Sequence, residues 1–400
     1  MPSSSGASPQ IPKEVNMNPT THYDIAVCGG GFAGISAALA AAREGRKVIL
    51  FEKEYLLGGL GTAGLVTIYL PLCDGCGHQV SFGIAEELLR LSITYGADAM
   101  YPGNWLDSDG PRGVEHHRFM VQYNPHIFAI LAEQLLTKEG VDILYGSYVV
   151  GTRVEDGRIT ALQVENKSGR TEYTVCAVVD ATGDADIAHF AGAPTATFSR
   201  GNVLAGWYYY TDEGGYKLQM LGMADNFQGP PTGERFSGLD GVEISDMVRA
   251  SHDMTLLHYL QKRETSPKAS LSTIATIPLL RMTRRIVGEY ELAHTDDHAH
   301  FEDSVGMVGN WKQRGPIYEI PFRSLYSKEI KNLITAGRCV STDELLWDAM
   351  RVIPCCAVTG QAAGTAAAMG DDFTVLDVDQ LQSLLRERGV KLHLSDIGIR

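Results

Sequence analysis

One stretch near the start of the chain, residues 23 to 52, leaves few folds open. Tyr23-Asp24-Ile25-Ala26-Val27-Cys28 reads as a short buried strand that runs into glycines. Gly29-Gly30-Gly31-Phe32-Ala33-Gly34 then sets Gly29, Gly31 and Gly34 in the spacing G-x-G-x-x-G. An alanine-rich helical segment, Ile35 to Arg43, is stopped by Gly45, and Lys47 to Phe51 is a second strand that ends at Glu52. Each part has a physical task. Gly29 permits the tight turn, Gly31 lets the backbone approach a pyrophosphate, and Gly34 lets helix and strand pack closely. The unpaired N–H groups and dipole at the helix start hold phosphates. Glu52 can accept hydrogen bonds from both hydroxyls of an adenosine ribose and would repel a 2′-phosphate. The glycine spacing alone is a weak signal. Its strand–helix–strand–acid context points to one adenine dinucleotide with an unphosphorylated ribose.

Three later segments extend the pattern. Leu57-Gly58-Gly59-Leu60-Gly61-Thr62-Ala63-Gly64 is a second glycine cluster, able to bring backbone N–H groups against a phosphate or ring. Val178 to Asp184 is a strand that enters a glycine turn at Gly183, and Leu333 to Arg338 repeats that form at Gly337. After Arg351-Val352-Ile353-Pro354, a small-residue helix from Cys355 to Met369 carries Gly360, Ala363, Gly364 and Ala367. Its N-terminal end could stabilise negative charge on a reduced flavin, and close core packing would use the same residues.

Taken together, these segments resemble the FAD-dependent oxidoreductase family of the glutathione-reductase-type fold, over roughly residues 22–392. The resemblance implies an α/β chain: a Rossmann-like FAD-binding domain of glutathione-reductase type with an inserted α+β substrate domain. It also implies FAD as the cofactor. Carried over, Gly29, Gly31, Phe32, Ala33 and Gly34 meet FAD from the first turn, and Glu52 and Lys53 from the second strand. Gly58, Gly59, Gly183, Asp184, Gly337 and Arg338 complete that expectation.

On this reading residues 1–20, rich in Ser, Pro and Asn, are a disordered tail rather than a signal peptide. Residues 21–193 form the first part of the FAD-binding domain, 194–320 the substrate domain, 321–372 the return segment, and 373–400 a C-terminal helix and tail. Asn124-Pro125 starts a helix that runs to about Lys138. Val141–Tyr145, Tyr148–Glu155, Ile159–Asn166 and Thr171–Asp180 read as strands, with a hairpin turn at Glu155-Asp156-Gly157-Arg158. In the substrate domain, Trp207 to Tyr210 is followed by a Gly/Asp-rich loop from Asp225 to Gly241. A helix, Ser245–Lys262, and a strand-like run, Ile274–Val287, come next.

Composition narrows the partners. The 34 Lys+Arg against 48 Asp+Glu leave a formal charge of −14, which argues against a nucleic-acid surface. No apolar run reaches the roughly 18–20 residues of a membrane span. Seven cysteines without a secretory segment make no disulfide framework, which points to the cytoplasm. The expected partners are a small-molecule substrate and a separate electron donor or acceptor, since no second nucleotide fingerprint for NAD(P)H is present.

Candidate chemistry centres on arginines. If Ile274–Val287 is a strand, Arg281, Thr283 and Arg285 share one face and Arg284 takes the other. The guanidinium groups could clamp a substrate carboxylate or phosphate, or equally pair with the pyrophosphate or with structural carboxylates. Arg351 is a further candidate for polarising substrate. His294, His298 and His300 with Asp296, Asp297 and Asp303 read as a solvated loop, and no metal is expected. Cys73-Asp74-Gly75-Cys76, followed by His78, reads as a cysteine-bearing loop, with a redox dithiol or half a metal site as alternatives. Cys355-Cys356 read as small buried residues at the helix start, where a thiol pKa could be lowered. His78, His116 and His117 are plain polar residues, or else proton donors or covalent flavin anchors. The resulting expectation is a two-electron oxidoreductase in which flavin N5 exchanges hydride with a small molecule. Its rivals are a thiol–disulfide carrier using Cys73 and Cys76, and a non-redox FAD protein.

Overall fold

The computed structural model describes residues 21–70, 72–97, 120–222, 231 and 233–399. The tail at 1–20, His116 and His117 fall outside the described residues, as does part of the Asp225–Gly241 loop. The opening unit is strand β1 (His22–Cys28), helix α1 (Phe32–Arg43) and strand β2 (Val48–Phe51). Helix α2 (Ile84–Ser92) follows, then helix α3 (Pro125–Lys138). The Asn124 side chain accepts hydrogen bonds from the His126 and Ile127 N–H groups, both at 3.1 Å, so the cap read from sequence is formed.

Strands β3 (Asp142–Leu144), β4 (Tyr148–Glu155), β5 (Arg158–Asn166) and β6 (Gly169–Asp180) come next. Asp156 (φ 50°) and Gly157 (φ 72°) are both left-handed, as a two-residue hairpin turn between β4 and β5 requires. The sheet runs β3-β2-β1-β6-β5-β4. The β3-β2-β1-β6 part is parallel, and β6 meets β5 antiparallel through its first half. A late strand, numbered below, pairs parallel with the second half of β6.

Helix α4 (Asp186–Phe190) and strand β7 (Thr195–Thr197) lead into a smaller sheet of β8 (Tyr208–Asp212), β9 (Gly215–Gln219) and β10 (Ser270–Ile274), ordered β9-β8-β10. Between β9 and β10 lies helix α5 (Gly241–Thr265). It starts before Ser245 because Asp240 caps the Val242 and Glu243 N–H groups. The run Ile274–Val287 is not one strand, which corrects the sequence expectation. It divides into the end of β10 and strand β11 (Arg284–Ile286), which pairs with β7. In between, Pro278 lacks a ladder donor, and the Arg281 and Met282 N–H groups turn to the Asn202 side chain at 2.8 and 3.1 Å.

Strands β12 (Ser304–Gly309) and β13 (Ile317–Pro321) make an antiparallel ribbon, and β14 (Leu333–Thr335) is the late strand beside β6. Helices α6 (Glu344–Met350), α7 (Ile353–Met369) and α8 (Val378–Glu387) close the chain. Among the described residues no single helix is long and apolar enough to cross a membrane.

α7 packs flat against α1. A Cβ on Gly360 would lie 2.2 Å from the Ala33 carbonyl oxygen, and one on Gly364 would lie 2.1 Å from that of Ala37. The small-residue stripe is therefore a packing device. Packing α1 and α7 together brings both of their N-terminal ends to one cavity, where β1, β2, β6 and β14 also finish.

Candidate functional site

That cavity has a volume of about 350 Å³, within the range of small-ligand sites, and lies at the carboxyl ends of the parallel strands. The first turn builds one part of its lining. Gly29 has φ 103°, and a Cβ there would lie 2.4 Å from the Ala181 carbonyl oxygen. A Cβ on Gly34 would lie 1.8 Å from the Gly29 carbonyl oxygen. Protein packing thus accounts for both glycines. Gly31 differs: a Cβ there meets nothing within 4 Å. The Gly31 φ of −69° also suits any residue. Neither packing nor backbone conformation demands glycine at 31, whereas a ligand backbone pressed onto the start of α1 would.

The second glycine cluster is tied to the first. The Gly58 N–H donates to the Gly30 carbonyl at 2.8 Å, and a Cβ on Gly59 would lie 3.3 Å from the Gly31 Cα. Glu52 is buried at the end of β2, and burial raises its pKa against the pull of its hydrogen bonds. Its two oxygens accept the Gly30 N–H at 2.7 Å and the Glu54 N–H at 2.8 Å. Each oxygen keeps one further lone pair for a ligand hydroxyl. Lys53, Tyr148 and Val149 line the cavity beside it.

The turn after β6 is held by Asp180, whose role the sequence did not reveal. Its buried carboxylate accepts the Thr182 N–H and hydroxyl and the Ala188 N–H. Burial nevertheless pushes its pKa up. Gly183 has φ 85°, and its missing Cβ leaves room for the Arg338 guanidinium, which would otherwise lie 2.1 Å away. Arg338 donates to the Leu280 carbonyl at 2.7 Å and stands 3.5 Å from the Asp184 carboxylate. Thr283 donates to Asp184 at 2.6 Å, and Arg284 donates to the Asp184 carbonyl and to the Asp186 carboxylate. Burial, with Asp184 and Asp180 nearby, pushes the Asp186 pKa up to about 6 despite Arg284.

Gly29, Gly31, Phe32, Ala33, Glu52, Lys53, Gly58, Gly59, Gly183, Asp184, Gly337 and Arg338 all line this cavity. Gly34 does not, being pressed under Gly29. The three arginines separate. Arg351 lines the cavity and donates from Nε to Asp348 at 2.6 Å. Burial alone would raise the Asp348 pKa, but Arg351 and Lys312 outweigh it and the group is lowered. Arg281 is buried just outside the lining, over the Trp207 ring, with one long contact to the Gly222 carbonyl at 3.4 Å. Burial and the nearby charge of Arg351 bring its pKa down to about 10. Arg285 points elsewhere, to Glu291 at 2.5 Å and over the Trp347 ring. The expected common face of Arg281 and Arg285 dissolves because Arg281 lies outside any strand, its N–H held by the Asn202 side chain, whereas Arg285 is in β11.

The thiols at the start of α7 are not activated. Burial pushes the Cys356 pKa up to about 11, although Arg338 and Arg351 pull it down, and Cys355 rises well above its ordinary value. No disulfide joins Cys73 and Cys76, and neither lines the cavity. Asp74 instead organises their loop by accepting the Cys76 and His78 N–H groups and the His78 ring. The three histidines of the expected solvated loop are exposed, and each turns to a different carboxylate: His294 to Asp343, His298 to Asp297 and His300 to Glu319. Ile277, Pro278 and Leu280 line the cavity with no sequence signal beyond ordinary apolar residues.

A family model described as FAD dependent oxidoreductase matches residues 24–203 and 239–385. A digeranylgeranylglycerophospholipid reductase of Thermoplasma volcanium is 22% identical over 264 residues, covering 60% of this chain and 61% of that protein. A vinyl phenol reductase of Lactiplantibacillus plantarum is 28% identical over 188 residues, or 40% of this chain and 38% of that protein. The chain therefore spans less than two thirds of either relative. Among solved structures, a geranylgeranyl bacteriochlorophyll reductase-like protein from Thermoplasma acidophilum aligns with 94% of this chain and 86% of its own, at 16% identity and a TM-score of 0.49.

Proposed function

The chain belongs to the FAD-dependent oxidoreductase family, with FAD as its cofactor, and on that premise we propose that it oxidises or reduces a small anionic molecule. FAD, when bound, supplies the two-electron redox chemistry, with hydride exchanged at N5. One observation carries the reading: backbone from both ends of the chain lines a single cavity, and Gly31 faces open space there. In this assignment Glu52, Lys53, Tyr148 and Val149 hold the adenosine, and the starts of α1 and the Gly183 turn hold the pyrophosphate. Gly58, Gly59, Leu280, Gly337 and the start of α7 surround the ring. The unit is of glutathione-reductase type, and the substrate-facing part within residues 194–320 is the β8–β9–β10 sheet with α5. Of that part, Gly238, Ile244, Ile277, Pro278 and Leu280 line the cavity, so substrate choice is assigned to them.

Arg351 orients the substrate anion, and Arg281 adds to the local positive charge. Both are near one carboxylate, Asp348, which Lys312 also engages, so the arrangement retains a positive excess. Ile277, Pro278 and Leu280 exclude water from the ring. A separate electron partner completes the cycle, and the cytoplasm is the assigned compartment.

The test is anaerobic. Purified protein should carry FAD or be reconstituted with it, and a panel of small carboxylic acids and their reduced forms should contain one that bleaches or restores the flavin absorbance. Protein that neither retains nor takes up FAD sinks the reading. Flavin that stays oxidised while substrate is converted supports the non-redox rival, and loss of turnover on changing Cys73 and Cys76 to Ser supports the dithiol rival.

A further inference from the structure

We propose that Glu319, His300 and His393 form a binding site for one divalent cation of the zinc class, remote from the cavity. The three come from separate parts of the chain: the loop before β12, the strand β13 and the segment after α8. Their potential ligand atoms all lie within 4.8 Å of one another. None of them lines the FAD cavity, so the site stands independently of the cofactor reading.

The carboxylate supplies the first reason. Glu319 is 1% exposed, and no Lys or Arg pairs with it among the described residues. A buried carboxylate requires a compensating positive charge. What surrounds it is two imidazoles, which are cationic only when protonated, and two backbone donors. Phe301 N–H donates to Oε2 at 2.9 Å and Leu394 N–H to Oε1 at 3.0 Å. These backbone bonds fix the carboxylate in the manner of the outer shell that orients a metal ligand.

Distances supply the second reason. His393 Nδ1 lies 3.0 Å from Glu319 Oε2, and His300 Nδ1 lies 3.4 Å from the same oxygen. The second separation is long for an N–H···O bond. It suits two ligands of one ion, because bonds of about 2.0–2.2 Å at tetrahedral angles put ligand atoms about 3.4 Å apart. Two imidazoles with one carboxylate is a zinc-type donor set that leaves a position for water. The His300 side chain, 64% exposed, borders solvent and gives the ion a route in.

A cation here would clasp the C-terminal segment to the β12–β13 ribbon. Because the three ligands meet only in the folded chain, binding would stabilise the fold by mass action. The test uses untagged, FAD-loaded, full-length protein stripped with chelator, then titrated with Zn²⁺ and, for spectroscopy, Co²⁺. The expected result is one equivalent bound, a raised unfolding midpoint, and Co²⁺ absorption of a four-coordinate N/O site. His300→Ala removes an exposed ring, so its metal-free midpoint should match wild type while affinity falls at least about tenfold. His393→Ala should weaken binding likewise. Absence of uptake by wild type, or uptake by His300→Ala equal to wild type, overturns the proposal.

Discussion

Backbone meets the cavity at Gly29, Gly31, Gly58, Gly183 and Gly337, whereas Ile277, Pro278, Leu280 and Arg351 present side chains to it. The first region is specified by where a side chain cannot be. That requirement is carried by single residues, each placed directly after a strand or in a tight turn, so the local pattern announces it even where the neighbour it answers to is remote, as with Gly183 and Arg338. The second region is specified by which side chains meet, and its partners are scattered from Asn202 to Asp348. Local rules reach the first region. Only the assembled fold determines the second.

Within the glycine region, Gly34 and Gly31 can be set against each other. Gly34→Val drives a side chain into the Gly29 carbonyl, so the fold should lose about 3 kcal/mol, measurable by denaturant unfolding of the FAD-free protein. Gly31→Val should cost the FAD-free chain no more than about 1 kcal/mol, the loss expected of a poorer helix N-cap, since a Cβ there meets nothing within 4 Å. FAD affinity should nevertheless fall by about a hundredfold or more, read by equilibrium dialysis and equivalent to roughly 2.7 kcal/mol. If Gly31→Val destabilises the FAD-free chain as Gly34→Val does, the distinction between packing glycine and ligand glycine is lost.

The legibility of the sequence follows the same division. Residues 23–52, the Asn124 cap, the Asp156-Gly157 turn and both late glycine turns were readable because neighbours within a few residues decide them. The arginines at 281–285 were not. Their face depended on one continuous strand, which is interrupted where Asn202, some 80 positions away, takes the Arg281 and Met282 N–H groups. Cys355 is the small buried residue that the sequence suggested, with Cys356 partly buried beside it, but how far burial outweighs the pull on the Cys356 thiol is set by the whole core and was not legible locally. His300 lies in an exposed loop as read, but its neighbours Glu319 and His393 are distant in sequence and were not legible from it.

In the side-chain region Arg351 and Arg285 give the sharper contrast. Arg351→Met should lower kcat/KM by about 10- to 100-fold, since a hydrogen bond to a charged group contributes about 1.5–3 kcal/mol. Arg351→Lys should recover part of that loss. Arg285→Met should leave kcat/KM within about threefold, because Arg285 engages Glu291 and Trp347 outside the cavity. Equal loss in both variants would return Arg285 to the substrate role expected from the sequence.

Asp186 carries the smallest effect and joins the two regions, since it lines the cavity and holds Arg284. Its folded pKa, about 6, lies above the ordinary 3.8. The folded state therefore binds a proton more tightly than the unfolded chain, and this contribution is full below about pH 3.8. It is lost as pH rises through 6. The side chain is partly open to solvent, which keeps the effect below about 1 kcal/mol. Asp186→Asn cannot titrate, so the stability of wild type relative to this variant should decline between pH 4 and pH 7, as followed by urea unfolding at each pH. Arg284 opposes that decline, because its attraction grows as the carboxylate ionises. A difference between wild type and variant that instead grew with pH would mean that the guanidinium outweighs burial, and that charge pairing rather than desolvation governs the junction of backbone and side-chain regions.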